Sequence, residues 1–455
     1  MRVECPSYSH TGAHTSDHVR CHMIGEIEKA HMVDEPAVRS LDPDLDYRRR
    51  TMYVGVTIFM MSLIQYMGIL PVFGTDLLDY LGINLTQFGV LMSMRDIGGI
   101  VPALFVGWII DRWGARRALR VGLVGSGVSL LIIALCGPRW RLMGAGIGIS
   151  IVFLVTLEMS GSVFAVQLFS EQRRRILSLT SVVRDIVNTL VSALGEGGLS
   201  LVQAVPAISF AAVLHVPFAI LAVVFLASST LFRQKTQRKT DKPWQWRDLL
   251  ISPSSVPLIV LMSIHGAADA TTCTWMPIFL KSKSFQNIFI RPGFVISAFS
   301  AAYVISRFAL ALFPERFGRR AFLVLPGVLG GSVFIAGLLS RSPILTPCSY
   351  VLGAFLWSVE YPALLARLAE EEKHRFGAAI AVLTLGIYGT CAATKWLMGF
   401  FTDSLGEERM WIAMIVAASG FVCVSIGCTL WLLFIGKDEE QNVPHTAQTK
   451  SADRQ

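Results

Sequence analysis

The sequence predicts an all-α integral membrane protein, with twelve transmembrane helices in two six-helix halves and both termini in the cytoplasm. Three observations predict it. Of the 455 residues, 53% are hydrophobic and only 16% charged, against about a quarter charged in a soluble domain. Apolar stretches of about twenty residues, the length that crosses a hydrocarbon core of roughly 30 Å, follow one another along the chain. Lys and Arg collect in alternate loops, 23 on one side and seven on the other, and the richer side is cytoplasmic. That pattern accounts for the net charge of +8 without a nucleic-acid partner.

Residues 1–50 form a polar segment without the apolar core of a signal peptide. His10, His14, His18 and His22 recur at every fourth position near Cys5 and Cys21, which on a helix would make a metal-binding stripe. Pro6, Gly12 and Ser16 oppose such a helix, so the segment is expected to be a disordered cytoplasmic extension, with Met32 and Met52 as nearer alternative starts. The spans are read at 51–74, 86–110, 117–137, 141–165, 176–201, 207–231, 254–280, 291–313, 321–340, 343–366, 376–400 and 410–436. The longest interior polar stretch, 232–253, is a cytoplasmic loop dividing an amino-terminal half (51–231) from a carboxy-terminal half (254–436). The tail, 437–455, is polar and expected to be disordered and cytoplasmic.

Six of the eight cysteines lie in or beside apolar spans and none forms a CxxC pair. They read as small buried hydrophobes, so no disulfide framework, metal site or cofactor is expected. No nucleophile–base arrangement or nucleotide loop is present either. Gly144, Gly146 and Gly148 lack the Lys-Ser/Thr of a phosphate loop and fit close helix packing better. The chain is not expected to be an enzyme.

Two loops resemble each other. The second-to-third connection carries Gly107, Asp111, Arg112, Gly114, Arg116 and Arg117, and the eighth-to-ninth carries Glu315, Arg316, Gly318, Arg319 and Arg320. Asp111 and Glu315 are 204 residues apart, about half the embedded region, as expected of a duplicated six-helix unit. The glycines supply the backbone freedom of a tight turn, and the arginines suit anionic headgroups. These residues resemble the Gly-x-x-x-Asp-Arg-x-Gly-x-Arg-Arg signature of the major facilitator superfamily, with a degraded second copy. The resemblance implies two bundles of 3+3 inverted repeats around a central cavity, and a role for this loop in gating. Two shorter runs, His265–Pro277 and Lys395–Gly406, look like the fucose–galactose–glucose:proton symporter branch. The Gly-Pro-x-x-Gly-Gly run of drug and proton antiporters is absent from span five.

Ionisable residues at membrane depth cost roughly 3 kcal/mol each and usually face a cavity or a partner. Here they are Arg95, Asp96, Glu158, Arg184, Asp185, Glu196, His265, Asp269, Arg307, Glu360 and Lys395. The neighbours Arg95-Asp96 and Arg184-Asp185 sit at mid-depth on helices two and five, so cross-pairing of Arg95 with Asp185 and Arg184 with Asp96 is expected. Asp269 and Glu360 lack an adjacent cation, and desolvation favours their protonated forms; with Asp96 and Asp185 they are the candidate proton carriers. Arg95, Arg184, Lys395, Gln65 and Tyr388 are candidates for contacting substrate, and Tyr66, Tyr361 and Trp275 could add hydrogen bonds or stacking. Arg307 reads as structural. Pro71, Pro102, Pro277 and Pro362 are expected to break helices one, two, seven and ten.

The expected function is proton-coupled secondary transport of a small polar solute by alternating access, with sodium as the alternative ion. The basic residues at depth favour an organic anion such as a carboxylate, and the symporter-like runs favour a neutral sugar. A receptor built on a transporter fold is the reading of another class. The expected partners are the solute, the coupling ion and the lipid of a plasma or cell inner membrane, with the chain a monomer.

Overall fold

The computed structural model describes residues 47–169, 173–205, 207–232, 252–282, 291–312, 319–372 and 376–441. Residues 1–46, 233–251 and 442–455 lie outside the described residues, while 47–50 and 437–441, expected to belong to the polar extension and tail, continue the first and last helices. Hydrocarbon offers backbone groups no partner, so each crossing must close its own hydrogen bonds as a helix. In chain order the helices are α1 (Tyr47–Leu63), α2 (Ile69–Val72), α3 (Gly74–Leu81), α4 (Leu85–Trp113), α5 (Ala115–Leu135), α6 (Trp140–Leu168), α7 (Arg173–Ala204) and α8 (Phe210–Ser229). The second half contains α9 (Val256–Lys281), α10 (Pro292–Leu312), α11 (Arg319–Ser340), α12 (Leu345–Trp357), α13 (Glu360–Glu371), α14 (Phe376–Leu405) and α15 (Met410–Gln441). Among the described residues, eleven helical segments are long and apolar enough to cross a membrane. The 32-residue α7 is long enough but carries Arg184, Asp185 and Glu196.

Two crossings are interrupted. Between α1 and α2 the chain tightens to a 3₁₀ turn over Ile64–Gly68, and between α12 and α13 it turns at Ser358 and Val359. Pro71 and Pro362 lie just beyond these interruptions, and each lacks the N–H that would bond the carbonyl four residues back, at Met67 and Ser358. Pro102 and Pro277 do not break their helices, contrary to the expectation from sequence: α4 and α9 run through them. Gly114, at φ 79°, makes the abrupt turn from α4 into α5.

Exposed Leu179, Val182, Ile186, Leu190, Leu194 and Leu201 recur every three to seven residues along α7 and form its lipid face. Its charged residues therefore look inward. The halves meet along two antiparallel helix pairs, α4 with α14 and α7 with α10. Ser93 Oγ donates to the Ala392 carbonyl (2.7 Å) in the first pair, and Asn188 Nδ2 donates to Ser300 Oγ (3.0 Å) in the second. Ser300 lies 207 residues after Ser93 and Ala392 lies 204 after Asn188, so the two pairs correspond to within one helical turn. The second of these offsets equals the 204 between Asp111 and Glu315.

Glycine permits the close approach of α4 to α14: a Cβ on Gly89 would lie 2.8 Å from the Lys395 carbonyl oxygen. Gly89→Val is expected to force the pair apart at about 1–3 kcal/mol. It should lower the thermal unfolding midpoint of the detergent-solubilised protein, and an unchanged midpoint would refute the close packing.

Candidate functional site

The charges at depth fall into three groups. The first is a chain that crosses between the halves. Arg184 Nη1 donates to Glu158 Oε1 (2.6 Å), and its Nε lies 3.9 Å from Asp185 Oδ1. Arg307 Nη1 reaches across from α10 to Asp185 Oδ2 (3.4 Å), and its guanidinium covers the Tyr303 ring at 4.9 Å. Tyr303 OH donates to Asp269 Oδ1 (2.5 Å), while Trp357 Nε1–H donates to Tyr303 OH (2.8 Å) and also points at that carboxylate (3.4 Å). Arg184, Glu158 and Arg307 remain 35%, 33% and 32% exposed. Of these, Arg307 pairs across the halves, and charges kept partly exposed at this depth are expected to face a cavity or a partner rather than lipid.

The second group is Asp96 and Lys395, joined by two contacts of 2.8 and 3.1 Å and only 5% and 3% exposed. The third lies wholly inside the carboxy-terminal half, where Glu360, 0% exposed, takes His265 Nδ1 (2.9 Å) and Ser425 Oγ (2.8 Å).

These partners replace the expected cross-pairing. Arg184 takes Glu158 and its own neighbour, Asp185 takes Arg307, and Asp96 takes Lys395. Half-buried Arg95 makes no hydrogen bond or ion pair among the described residues. The physical reason is rotation: neighbours on a helix point about 100° apart, so Asp96 faces α14 and Arg95 does not.

Other candidates fall where packing puts them. Half-buried Gln65 lies in the 3₁₀ turn of the first crossing. Tyr66 turns to the lipid side, against Phe218 and into an apolar groove of about 470 Å³ shared with Leu194, Val213 and Pro217. Trp275 is fully buried, with its ring 5.4 Å from Phe88 across the halves. The Tyr388 ring lies over Gly99 and packs α14 on α4. Tyr361 is 6.0 Å from His265.

In the loop that resembles the family signature, Arg112 covers Trp108, Arg117 covers Trp113, and buried Arg116 bonds Tyr53 OH (3.3 Å) and covers its ring. Gly107 is exposed within α4. The Asp111 side chain and Glu315, Arg316 and Gly318 lie outside the described residues.

Sequence reasoning missed Tyr303 and Trp357, the partners of Asp269, because a buried aromatic carries no pattern that separates a hydrogen-bond donor from packing. It also missed the contacts between halves at the end opposite the Arg-rich loops: Lys281 Nζ with Asp76 (2.5 Å), Thr86 with Asp403 and Gly293 with Glu196.

Comparisons with known proteins agree with this architecture. No curated protein matches the chain. Solved structures with the same fold include a D-xylose–proton symporter (TM-score 0.64, 12% identity, covering 83% of this chain and 97% of that one). The nucleoside transporter NupG is similar at TM-score 0.63 and 15% identity, covering 83% and 99%. The E. coli fucose:proton symporter FucP is similar at TM-score 0.54 and 16% identity, also covering 83% and 99%. The sequence model of the Major Facilitator Superfamily matches residues 55–291, just over half of the chain. With its helical crossings and a family match over more than half of its length, this chain belongs to the major facilitator superfamily.

Proposed function

We propose that the protein is a proton-coupled secondary transporter that moves a small organic anion by alternating access. In this reading α7 is the fifth of twelve crossings, the Arg-rich loops and both termini are cytoplasmic, and the chain acts as a monomer in a plasma or inner membrane. The observation that carries the substrate class is Arg95, a half-buried cation with no ionic partner among the described residues. Arg184 and Lys395 are already neutralised by Glu158 and Asp96, so they hold the cleft together and Arg95 meets the substrate carboxylate.

Charge balance supports coupling. The described charged groups between the two halves are four cations (Arg95, Arg184, Arg307, Lys395) and four carboxylates (Asp96, Glu158, Asp185, Asp269), of which Lys395 and Asp96 form an enclosed neutral pair. Protonating Asp269 leaves one positive charge in excess, so a proton bound there favours a monoanion at Arg95. Asp269 suits the carrier role because it borders the cleft through Tyr303, whereas Glu360 is enclosed in one half.

A proton-coupled sugar symporter is the second reading. It is favoured by neutralisation of Arg184 and Lys395 and by the likeness to xylose and fucose symporters.

Proteoliposomes separate the two. One proton with a monoanion carries no net charge, while one proton with a sugar carries one. Uptake of an acid with proton entry but no current, reduced at least tenfold in Arg95→Gln, is the expected result. A sugar-evoked current unaffected by Arg95→Gln would replace it with the sugar reading. Binding of a solute without uptake would point to a receptor.

A further inference from the structure

At the end of the bundle opposite the Arg-rich loops, two helices that line the interface begin, α4 and α10. The first N–H groups of a helix have no partner within it, and here they find one in the other half. Thr86 N–H donates to Asp403 Oδ2 (2.7 Å), and its hydroxyl donates to the same oxygen. Gly293 N–H donates to Glu196 Oε2 (2.9 Å). Adding 207 to 86 gives 293, and adding it to 196 gives 403. Each half thus lends a carboxylate from its fifth helix to the start of the other half's second helix.

Neither contact is an ordinary cap. The start of α4 already has a local one: the Asn84 side chain accepts from Gln87 N–H (2.8 Å), and the Gln87 side chain accepts from Asn84 N–H (3.1 Å). The start of α10 reads Arg291-Pro292-Gly293, with no Ser, Thr, Asp or Asn to cap it. Glu196 is only 5% exposed and has no ion pair among the described residues. A buried carboxylate is expensive, and the positive end of α10 is what offsets it. Gly293 makes room: a Cβ there would lie 2.6 Å from the Glu196 Cβ. If these contacts only stabilised the fold, they could sit within either half. Both cross between halves, at the end that must part when the cleft opens outward.

We propose that Glu196 and Asp403 are gating residues, two symmetry-related points of a clasp that, with the Lys281–Asp76 ion pair, holds the extracellular end closed and must release in every transport cycle. The inference rests on the alternating-access reading but not on the substrate. Spin labels at Arg139→Cys and Pro343→Cys, in loops of opposite halves at that end, report its opening in protein with the eight native cysteines replaced.

Glu196→Ala is expected to raise the ratio of long to short distances about tenfold, because its carboxylate is buried. Exposed Asp403→Ala should raise it about threefold, and the double variant by roughly the product. Glu196→Gln and Asp403→Asn keep an oxygen acceptor without the charge and should give intermediate shifts; they carry the test if the alanine variants fail to fold. Folded variants with the parent's distance distribution overturn the clasp, even if their unfolding midpoints fall. A shifted distribution without uptake of any solute would leave the clasp standing and remove the transport reading instead.

Discussion

Asp269→Asn is expected to abolish proton-driven accumulation while leaving exchange of substrate across the membrane intact. With one proton carried per substrate, a gradient of one pH unit supplies about 1.4 kcal/mol and sustains about tenfold accumulation. The amide cannot carry the proton, so the ratio should fall to one. Asparagine keeps the Oδ1 that accepts from Tyr303 OH (2.5 Å) and Trp357 Nε1–H (3.4 Å), so the cleft should hold its shape and the solute should still cross. Counterflow of labelled solute into preloaded proteoliposomes measures the exchange, and a pH jump measures the accumulation. Glu360→Gln is the contrasting variant. Its partners His265 and Ser425 lie in its own half, so it should lower stability while accumulation survives. If Glu360→Gln loses accumulation and Asp269→Asn keeps it, the proton site belongs to the enclosed pair.

The all-helical, membrane-spanning character of the chain was legible in the sequence because it depends on composition along one helix. Pairing was not, because it depends on how two helices are rotated against each other. Arg184 took Glu158 from α6, a helix that the symmetry of helices two and five left out of account. Proline was legible in part. Pro71 and Pro362 interrupt their helices while Pro102 and Pro277 do not, and a missing N–H by itself does not separate the two outcomes. Asp403 lay within a run that resembled a sugar symporter branch, but its partner Thr86 is 317 residues away. The start of α10 held a usable signal, a helix beginning at Pro292-Gly293 with no local cap, whose free N–H groups had to be satisfied from elsewhere.

Lys395→Met should be among the most destabilising single changes in the protein, and adding Asp96→Asn should recover most of the loss. The pair is almost fully enclosed, with contacts of 2.8 and 3.1 Å. Removing one partner strands a buried charge, at about 3–5 kcal/mol, whereas replacing both by neutral groups of similar size is often close to neutral. The neighbouring guanidinium of Arg95 is poorly placed to rescue Asp96, since adjacent side chains diverge by about 100°. Unfolding midpoints of the parent, both single variants and the double variant form a complete cycle. A double variant near the parent establishes the buried pair. Losses that simply add would mean that Asp96 and Lys395 do not interact, and Lys395 would return as a free cation for substrate. The pair joins α4 to α14 across the halves, so the recovered double variant also separates stability from transport. If it is stable but turns over slowly, the charges are needed to re-form the contact in each cycle. If it transports like the parent, the pair serves only to hold the two helices in register.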